Sequence, residues 1–297
     1  MSERMKLQGS MVALVTPFKG GEVDWPTFER LIDFQLENGT QGLIPCGTTG
    51  ESPTLTNDEH DKVIEVCVQR AGGKAPVIAG TGSNSTAEAV ERTQHAKDVG
   101  ATATLQVMPY YNKPTQHGMA AHVAKVAQVG LPIVLYNIPG RCGVELTPDT
   151  IVRMYEDNEM VIAVKEATGK LDNASAVASR CDISILSGDD SLTLPIGSVG
   201  GTGVISVVAN LLPGEVRTLC DFMLDGDMAE ACTQHLKLYP LFKGMLQLET
   251  NPIPIKAAMA MAGMIENELR LPMSPLSEPL RAPLAGMLKD FGVEVKA

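Results

Sequence analysis

Val161-Ile162-Ala163-Val164-Lys165-Glu166-Ala167 opens with four apolar residues, three of them β-branched, before any charge appears. A run without in/out alternation is the pattern of a parallel strand covered on both faces. Seven more runs of this kind surround it: MVALVTPF from Met11, GLIPCG from Gly42, PVIAGTG from Pro76, ATLQVMP from Ala103, PIVLYN from Pro132, ISILSG from Ile183 and GVISVVA from Gly203. Their starts lie about 20 to 35 residues apart, the length of one strand plus one helix.

The residues between these runs punctuate helices. Thr56-x-x-Glu59 and Ser85-x-x-Glu88 have capping-box form, and Thr147-Pro148 reads as an N-cap followed by a first-turn proline. Gly39, Gly72, Gly100 and Gly130 each stand shortly before the next strand, where a left-handed residue ends a helix. Eight strand-helix units with no strand leading into a G-x-G-x-x-G turn predict a closed (β/α)₈ TIM barrel rather than an open doubly wound sheet. Beyond Asp225 the pattern is purely helical, through MAEACTQHLKLYPLFKGMLQ, PIKAAMAMAGM and PLSEPLRAPLAGMLKDFG, with prolines at the joints. The expected division is a barrel over 1–225 and a helical C-terminal domain over 226–297.

Composition narrows the function classes. With 44% hydrophobic and 20% charged residues the chain is of the folded globular kind. Thirty-five acidic residues against 24 basic ones give a formal net charge of −11, and with no Lys/Arg cluster nucleic acid and anionic membranes are not expected partners. The uncharged run 191–214 is broken by Pro195, Pro213 and several glycines, so it reads as no membrane span. The N-terminus lacks signal-peptide form, and a cytoplasmic protein is expected. Six scattered cysteines, with no C-x-x-C, read as reduced and mostly buried thiols. His60, His95, His117, His122 and His235 lack metal-ligand spacing and read mostly as solvated helix residues. Asp189-Asp190 reads as structural or helix-capping, and no metal is expected.

In such a barrel the chemistry belongs to the carboxyl ends of the strands and the loops after them. Lys165 is the sharpest feature there, because its strand neighbours are apolar. Desolvation favours a neutral amine, the nucleophile that forms a Schiff base with a carbonyl substrate. The competing reading is a stem packed along the barrel mouth with its ammonium in water. Tyr136 ends the preceding strand and is placed to exchange protons with the adduct, given a hydroxyl network to which Thr48 contributes; both would otherwise simply hydrogen-bond each other or the backbone. Gly47-Thr48-Thr49-Gly50 presents turn N–H groups suited to a carboxylate but lacks the lysine of a phosphate-binding loop. Arg141, on a loop after Pro139-Gly140, offers a fork of donors for a second carboxylate, or is a surface arginine.

Taken together, GTTGES at Gly47, MPYYNKP at Met108, YNIPGR at Tyr136, VKEATG at Val164, LSGDD at Leu186, GVISVVAN at Gly203, TNPIPIKAAM at Thr250 and RLPMSPLSEPLR near the end resemble the dihydrodipicolinate synthase family. The resemblance covers nearly the whole chain. This family lies within the class I pyruvate aldolases, together with N-acetylneuraminate lyases and sugar-acid aldolases.

The resemblance implies a Schiff-base lyase without a cofactor, in which Lys165 condenses with pyruvate and the enamine attacks aspartate semialdehyde, in lysine and diaminopimelate synthesis. By the same likeness Tyr136, Thr48 and Tyr111 form a proton relay, with Tyr111 supplied across a tight dimer within a homotetramer. Thr48 and Thr49 hold the pyruvate carboxylate, and Gly188 and Ile205 line the pocket. Arg141 separates this family from sugar-acid and N-acetylneuraminate relatives, which typically lack it. A lysine-feedback site maps onto Ser52, His60, Asn84, Glu88 and Tyr110, with Pro53 and Asn57 departing from the lysine-sensitive pattern.

Overall fold

The computed structural model describes residues 4–296; residues 1–3 of the N-terminal stretch and residue 297 of the C-terminal segment lie outside the described residues. Eight parallel strands form one sheet: β1 (Gly9–Ala13), β2 (Gly42–Ile44), β3 (Ile78–Gly80), β4 (Ala103–Val107), β5 (Ile133–Asn137), β6 (Val161–Glu166), β7 (Ser184–Ser187) and β8 (Gly203–Ser206). Their hydrogen-bonded order is β2-β1-β8-β7-β6-β5-β4-β3. The barrel closes between β2 and β3 through a single parallel bridge, Leu43 to Val77, flanked by Leu43 N–H on the Pro76 carbonyl at 2.9 Å and Gly80 N–H on the Pro45 carbonyl at 2.9 Å. Gly80 is required at this seam, since a Cβ there would stand 2.2 Å from the Cys46 carbonyl oxygen.

Helices α1 (Trp25–Glu37), α2 (Asn57–Ala71), α3 (Thr86–Asp98), α4 (Gln116–Ala127), α5 (Pro148–Asp157), α6 (Leu171–Ala178), α7 (Thr193–Gly197) and α8 (Pro213–Leu224) fill the connections. The Thr56 box on α2 is complete, with Glu59 N–H on Thr56 Oγ1 at 3.2 Å and Thr56 N–H on Glu59 Oε2 at 2.9 Å. The Ser85 box is only half formed: Ser85 Oγ accepts from Glu88 N–H at 3.5 Å, but the Glu88 carboxylate goes to Ser83 Oγ and Arg92. Charge pairing outcompetes the reciprocal cap there. Thr147 caps α5, and the four expected helix-ending glycines all have positive φ.

Residues of the strands divide between two cores with the two-residue period of a strand, interrupted in β6, where the register shifts between Val161 and Ala163. Val134 and Tyr136 of β5, Ala163 of β6, Leu186 of β7 and Ile205 of β8 share the barrel interior with Met11, Ile44 and Leu105. Ile133, Leu135, Val161 and Val164 face outward into the layer under the helices. Lys165, two residues beyond Ala163, therefore takes the interior side of its strand.

Three helices follow the barrel: α9 (Met228–Gln247), α10 (Ile253–Met261) and α11 (Glu278–Phe291). Their prolines are not confined to the joints, because Pro240 lies inside α9 and Pro283 inside α11. Leu241 and Phe242 of α9, Ile255 of α10 and Leu284 of α11 share one apolar cluster with Val12, Phe28 and Val63 of the barrel layers. No helix among the described residues is long and apolar enough to cross a membrane.

Candidate active site

The β5–β6 pairing sets the centre of the site. Tyr136 and Lys165 are direct register partners, so the two side chains emerge side by side at the carboxyl end of adjacent strands. Nζ of Lys165 lies 4.2 Å from the centroid of the Tyr136 ring, a cation–π distance. Lys165 is 5% exposed and Tyr136 4%, which removes the alternative of an ammonium standing in bulk water. The amine thus meets the face of the ring. Gly188 explains why there is room for it: a Cβ at that position would fall 3.2 Å from Lys165 Cε and 2.7 Å from Ala167 Cβ. Ile205, 1% exposed, belongs to the same interior cluster as Tyr136.

A cavity of about 510 Å³ opens beside Tyr136 and is lined by Gly47, Thr48, Tyr136, Arg141 and Asn251, while Lys165, Thr49, Gly188 and Ile205 do not line it. The 47–52 loop after β2 is folded on itself, with Gly50 N–H on the Gly47 carbonyl at 3.1 Å and Glu51 N–H on the Thr48 carbonyl at 3.1 Å. Thr49 is buried, and its Oγ1 accepts a hydrogen bond from Asn251 Nδ2 at 3.0 Å. Arg141 lies not on an open loop but in a single helical turn, Pro139–Cys142, where Arg141 and Cys142 N–H groups bond to the Ile138 carbonyl. Proline at the first position and Gly143 at the end suit such a turn. Its guanidinium is exposed, donates to the Asn251 carbonyl at 2.8 Å and lines the cavity.

Tyr111 is not brought to this centre within one chain. It is 89% exposed and sits at a left-handed φ of 74°. Of the five residues assigned to lysine, Ser52, Glu88 and Tyr110 line the same cavity. His60 is instead 1% exposed, with Nε2 2.9 Å from the Gly80 carbonyl and its pKa lowered chiefly by burial. Asn84 lends its backbone carbonyl to Asn112 Nδ2 at 2.9 Å. Glu88 is already paired with Arg92 at 2.8 Å, and Arg92 also reaches Asn57.

The remaining titratable groups have structural placements. His60 and His122 are buried rather than solvated, because α2 and α4 turn them inward; His122 Nδ1 meets Thr86 Oγ1 at 3.0 Å. Asp190 is buried, holds Ser206 Oγ and the N–H groups of Val207 and Val208, and is raised to about 6 by burial. Asp189 accepts from Ser191 N–H at 3.0 Å, which is a capping role. All six cysteines are free; Cys46, Cys67, Cys142 and Cys220 are buried, and Cys142 is pushed up to about 11 by burial. Among the described residues no group of three or more His, Cys, Asp or Glu side chains is placed to hold a metal ion.

Sequence reasoning about strand ends missed the contribution of the C-terminal segment. Asn251 links Thr49 to Arg141. Lys256 of α10 is a second buried lysine, 0% exposed, but its Nζ is held by Glu51 at 2.5 Å and by the Thr16 carbonyl at 2.9 Å. That engagement leaves Lys165 as the stronger candidate nucleophile. The signal for Lys256 was present in Ile253-Pro-Ile-Lys-Ala-Ala-Met-Ala-Met261, where one lysine interrupts an otherwise apolar helix.

Comparison with known proteins agrees with this geometry. The model of the dihydrodipicolinate synthetase family matches residues 6–291. A 4-hydroxy-tetrahydrodipicolinate synthase of Pelobacter propionicus is 50% identical over 289 residues, covering 96% of this chain and 99% of the relative. The crystal structure of dihydrodipicolinate synthase from Aquifex aeolicus superposes with a TM-score of 0.96 at 49% identity, covering 98% of this chain and all of that one. That of DHDPS from Cyanidioschyzon merolae with lysine bound gives 0.94 at 38% identity, covering 97% of this chain and 100% of that one. A family model spanning nearly the whole sequence, and a relative sharing half its residues end to end, establish that the chain belongs to the dihydrodipicolinate synthetase family.

Proposed function

We propose that the chain is a lyase joining pyruvate to L-aspartate 4-semialdehyde, the 4-hydroxy-tetrahydrodipicolinate synthase reaction, on the route to lysine and diaminopimelate. The observation that carries this reading is the shielded amine of Lys165 set against Tyr136. Nζ attacks the pyruvate ketone, water leaves, and an imine to Lys165 remains. Loss of a proton from the methyl carbon gives an enamine, whose carbon attacks the aldehyde. The aldehyde substrate's amino group then adds to the imine carbon, closes the ring and frees Lys165.

Each residue has a part in these steps. Tyr136 and Thr48 pass protons, with Tyr111 completing the relay from a second subunit; its near-complete exposure supports a role outside its own barrel. Thr48 and Thr49 hold the pyruvate carboxylate. The Thr49 oxygen already accepts from Asn251, which leaves the hydroxyl proton for another acceptor. Gly188 and Ile205 shape the pocket. Every step moves protons and electron pairs among amine, carbonyl and hydroxyl groups, so the reading calls for no cofactor. The barrel, 1–225, carries the chemistry and the helical segment, 226–297, completes the site wall. We place the enzyme in the cytoplasm as a homotetramer of two tight dimers.

Arg141 selects this aldehyde over the sugar acids and N-acetylneuraminate of related aldolases, because a fork of donors at the cavity wall needs a carboxylate to answer it. Arg141→Ala is expected to lower kcat/KM for aspartate semialdehyde about ten- to hundredfold, the loss of one charge-assisted pair, while pyruvate KM changes little. Steady-state assays varying each substrate check this, and wild-type efficiency with the aldehyde would overturn the substrate assignment.

Lysine is the proposed effector, at Ser52, His60, Asn84, Glu88 and Tyr110. An incoming ammonium must compete with Arg92 for Glu88, which supports weak to moderate sensitivity. Millimolar lysine is expected to remove part of the turnover, and Arg92→Ala to sharpen inhibition several-fold. Full activity of the unmodified enzyme in millimolar lysine removes the site.

A further inference from the structure

The loop bearing Thr48 and Thr49 ends on a buried charge pair that has no part in the steps above, although Glu51 lines the same cavity as Tyr136. Glu51 is 2% exposed and adopts a left-handed φ of 54°, a conformation that a residue with a Cβ holds only when its surroundings dictate it. Its Oε1 stands 2.5 Å from Lys256 Nζ, and its Oε2 accepts from Arg270 N–H at 3.2 Å. Lys256 also donates to the Thr16 carbonyl, while Thr16 Oγ1 donates to the Gly50 carbonyl at 2.7 Å. Both residues that close the threonine loop are thus tied, directly or through Thr16, to one ammonium. Phe18 backs it, with Lys256 Nζ 4.3 Å and Arg270 Cζ 4.4 Å from the ring centroid.

Arg270 is anchored in turn by Glu59, with Nη2 on Oε1 at 2.6 Å and Nη1 on Oε2 at 2.7 Å. Five residues before Lys256, Asn251 holds Thr49 by its side chain and Arg141 by its carbonyl. Residues 251–256 therefore touch both groups assigned to substrate carboxylates. A fully buried ion pair is a poor source of stability, since well-packed apolar residues of similar volume often serve as well or better. Its value here is geometric.

We propose that Lys256 is a positioning residue, which through its buried pair with Glu51 fixes the Thr48–Thr49 loop in the shape that receives the keto acid's carboxylate. The proposal rests on the reading of Thr48 and Thr49 as the pyruvate carboxylate site. Removing one partner alone strands a buried charge, so the test is the doubly neutral variant Glu51→Gln with Lys256→Gln, in which amides replace both charges. It is expected to keep the thermal transition of the unmodified enzyme, to raise pyruvate KM by at least about tenfold and to leave the aldehyde KM within about twofold. Saturating pyruvate should still load Lys165, seen by mass spectrometry after borohydride reduction.

An unchanged pyruvate KM in the folded double variant overturns the proposal, and so does a fall in kcat with both KM values kept. If that double variant does not fold, the apolar pair Glu51→Leu with Lys256→Met, which likewise strands no charge, decides: a several-fold rise confined to pyruvate KM supports the proposal and an unaltered KM overturns it. The underlying functional reading fails separately, if the unmodified enzyme forms no adduct with pyruvate at all.

Discussion

Replacing Lys165 with alanine is expected to lower turnover by about four to six orders of magnitude, because the covalent intermediate itself disappears. Trapping with pyruvate and borohydride should add mass to Lys165 in the unmodified enzyme and none to the variant. Lys256, the other buried lysine among the described residues, is held by Glu51 and the Thr16 carbonyl and is not expected to take its place. The fold should be retained with at most a modest fall in the thermal transition, because the substitution removes three methylenes of a shielded stem together with the amine. A cooperative transition together with lost adduct separates chemistry from misfolding. A variant that still forms the adduct would transfer the nucleophile to another residue.

Tyr136→Phe is the second large effect, with kcat expected to fall by about 10²- to 10⁴-fold, the usual worth of a positioned acid–base group. This substitution deletes one oxygen and keeps the ring against which Lys165 Nζ rests. Placement of the amine is therefore retained, and the loss reports the hydroxyl alone. Adduct formation should become slow but still reach completion with pyruvate. Rapid-quench trapping checks it, and kinetics within about twofold of the unmodified enzyme would place the proton path elsewhere.

The barrel was legible because parallel strands with covered faces write unbroken apolar runs, and because turn residues bound them. Thr56, Thr147 and Gly72 did what local chemistry demands of them. Ser85 did so only in part, since Arg92 offered Glu88 a charged partner that no short-range pattern includes. Pro240 and Pro283 looked like breakpoints but are accommodated within long helices whose apolar faces are buried.

The heart of the candidate site was legible for a related reason. Lys165 and Tyr136 sit at the ends of neighbouring strands, so strand register brings them together. Asn251, Lys256 and Arg270 stand in motifs that carry the resemblance but show no role in the sequence, because they reach the barrel mouth from helices and turns some hundred residues downstream of β6, through long-range contacts that periodicity does not encode. Tyr111 shows the converse limit. Its motif marks it plainly, yet one chain leaves it facing outward, so its proposed part in the relay depends on a second subunit.

The uneven stitching of the barrel has a mechanical consequence. β5 and β6 are joined by five register pairs, whereas β2 meets β3 at one bridge. A cylinder whose staves are bound so unequally parts first along its weakest joint. Thermal breathing is expected to loosen the wall next to Thr48 and Thr49 before it parts Tyr136 from Lys165, so on the proposed reading the hold on a ligand's anionic end slackens while the amine and phenol stay clasped.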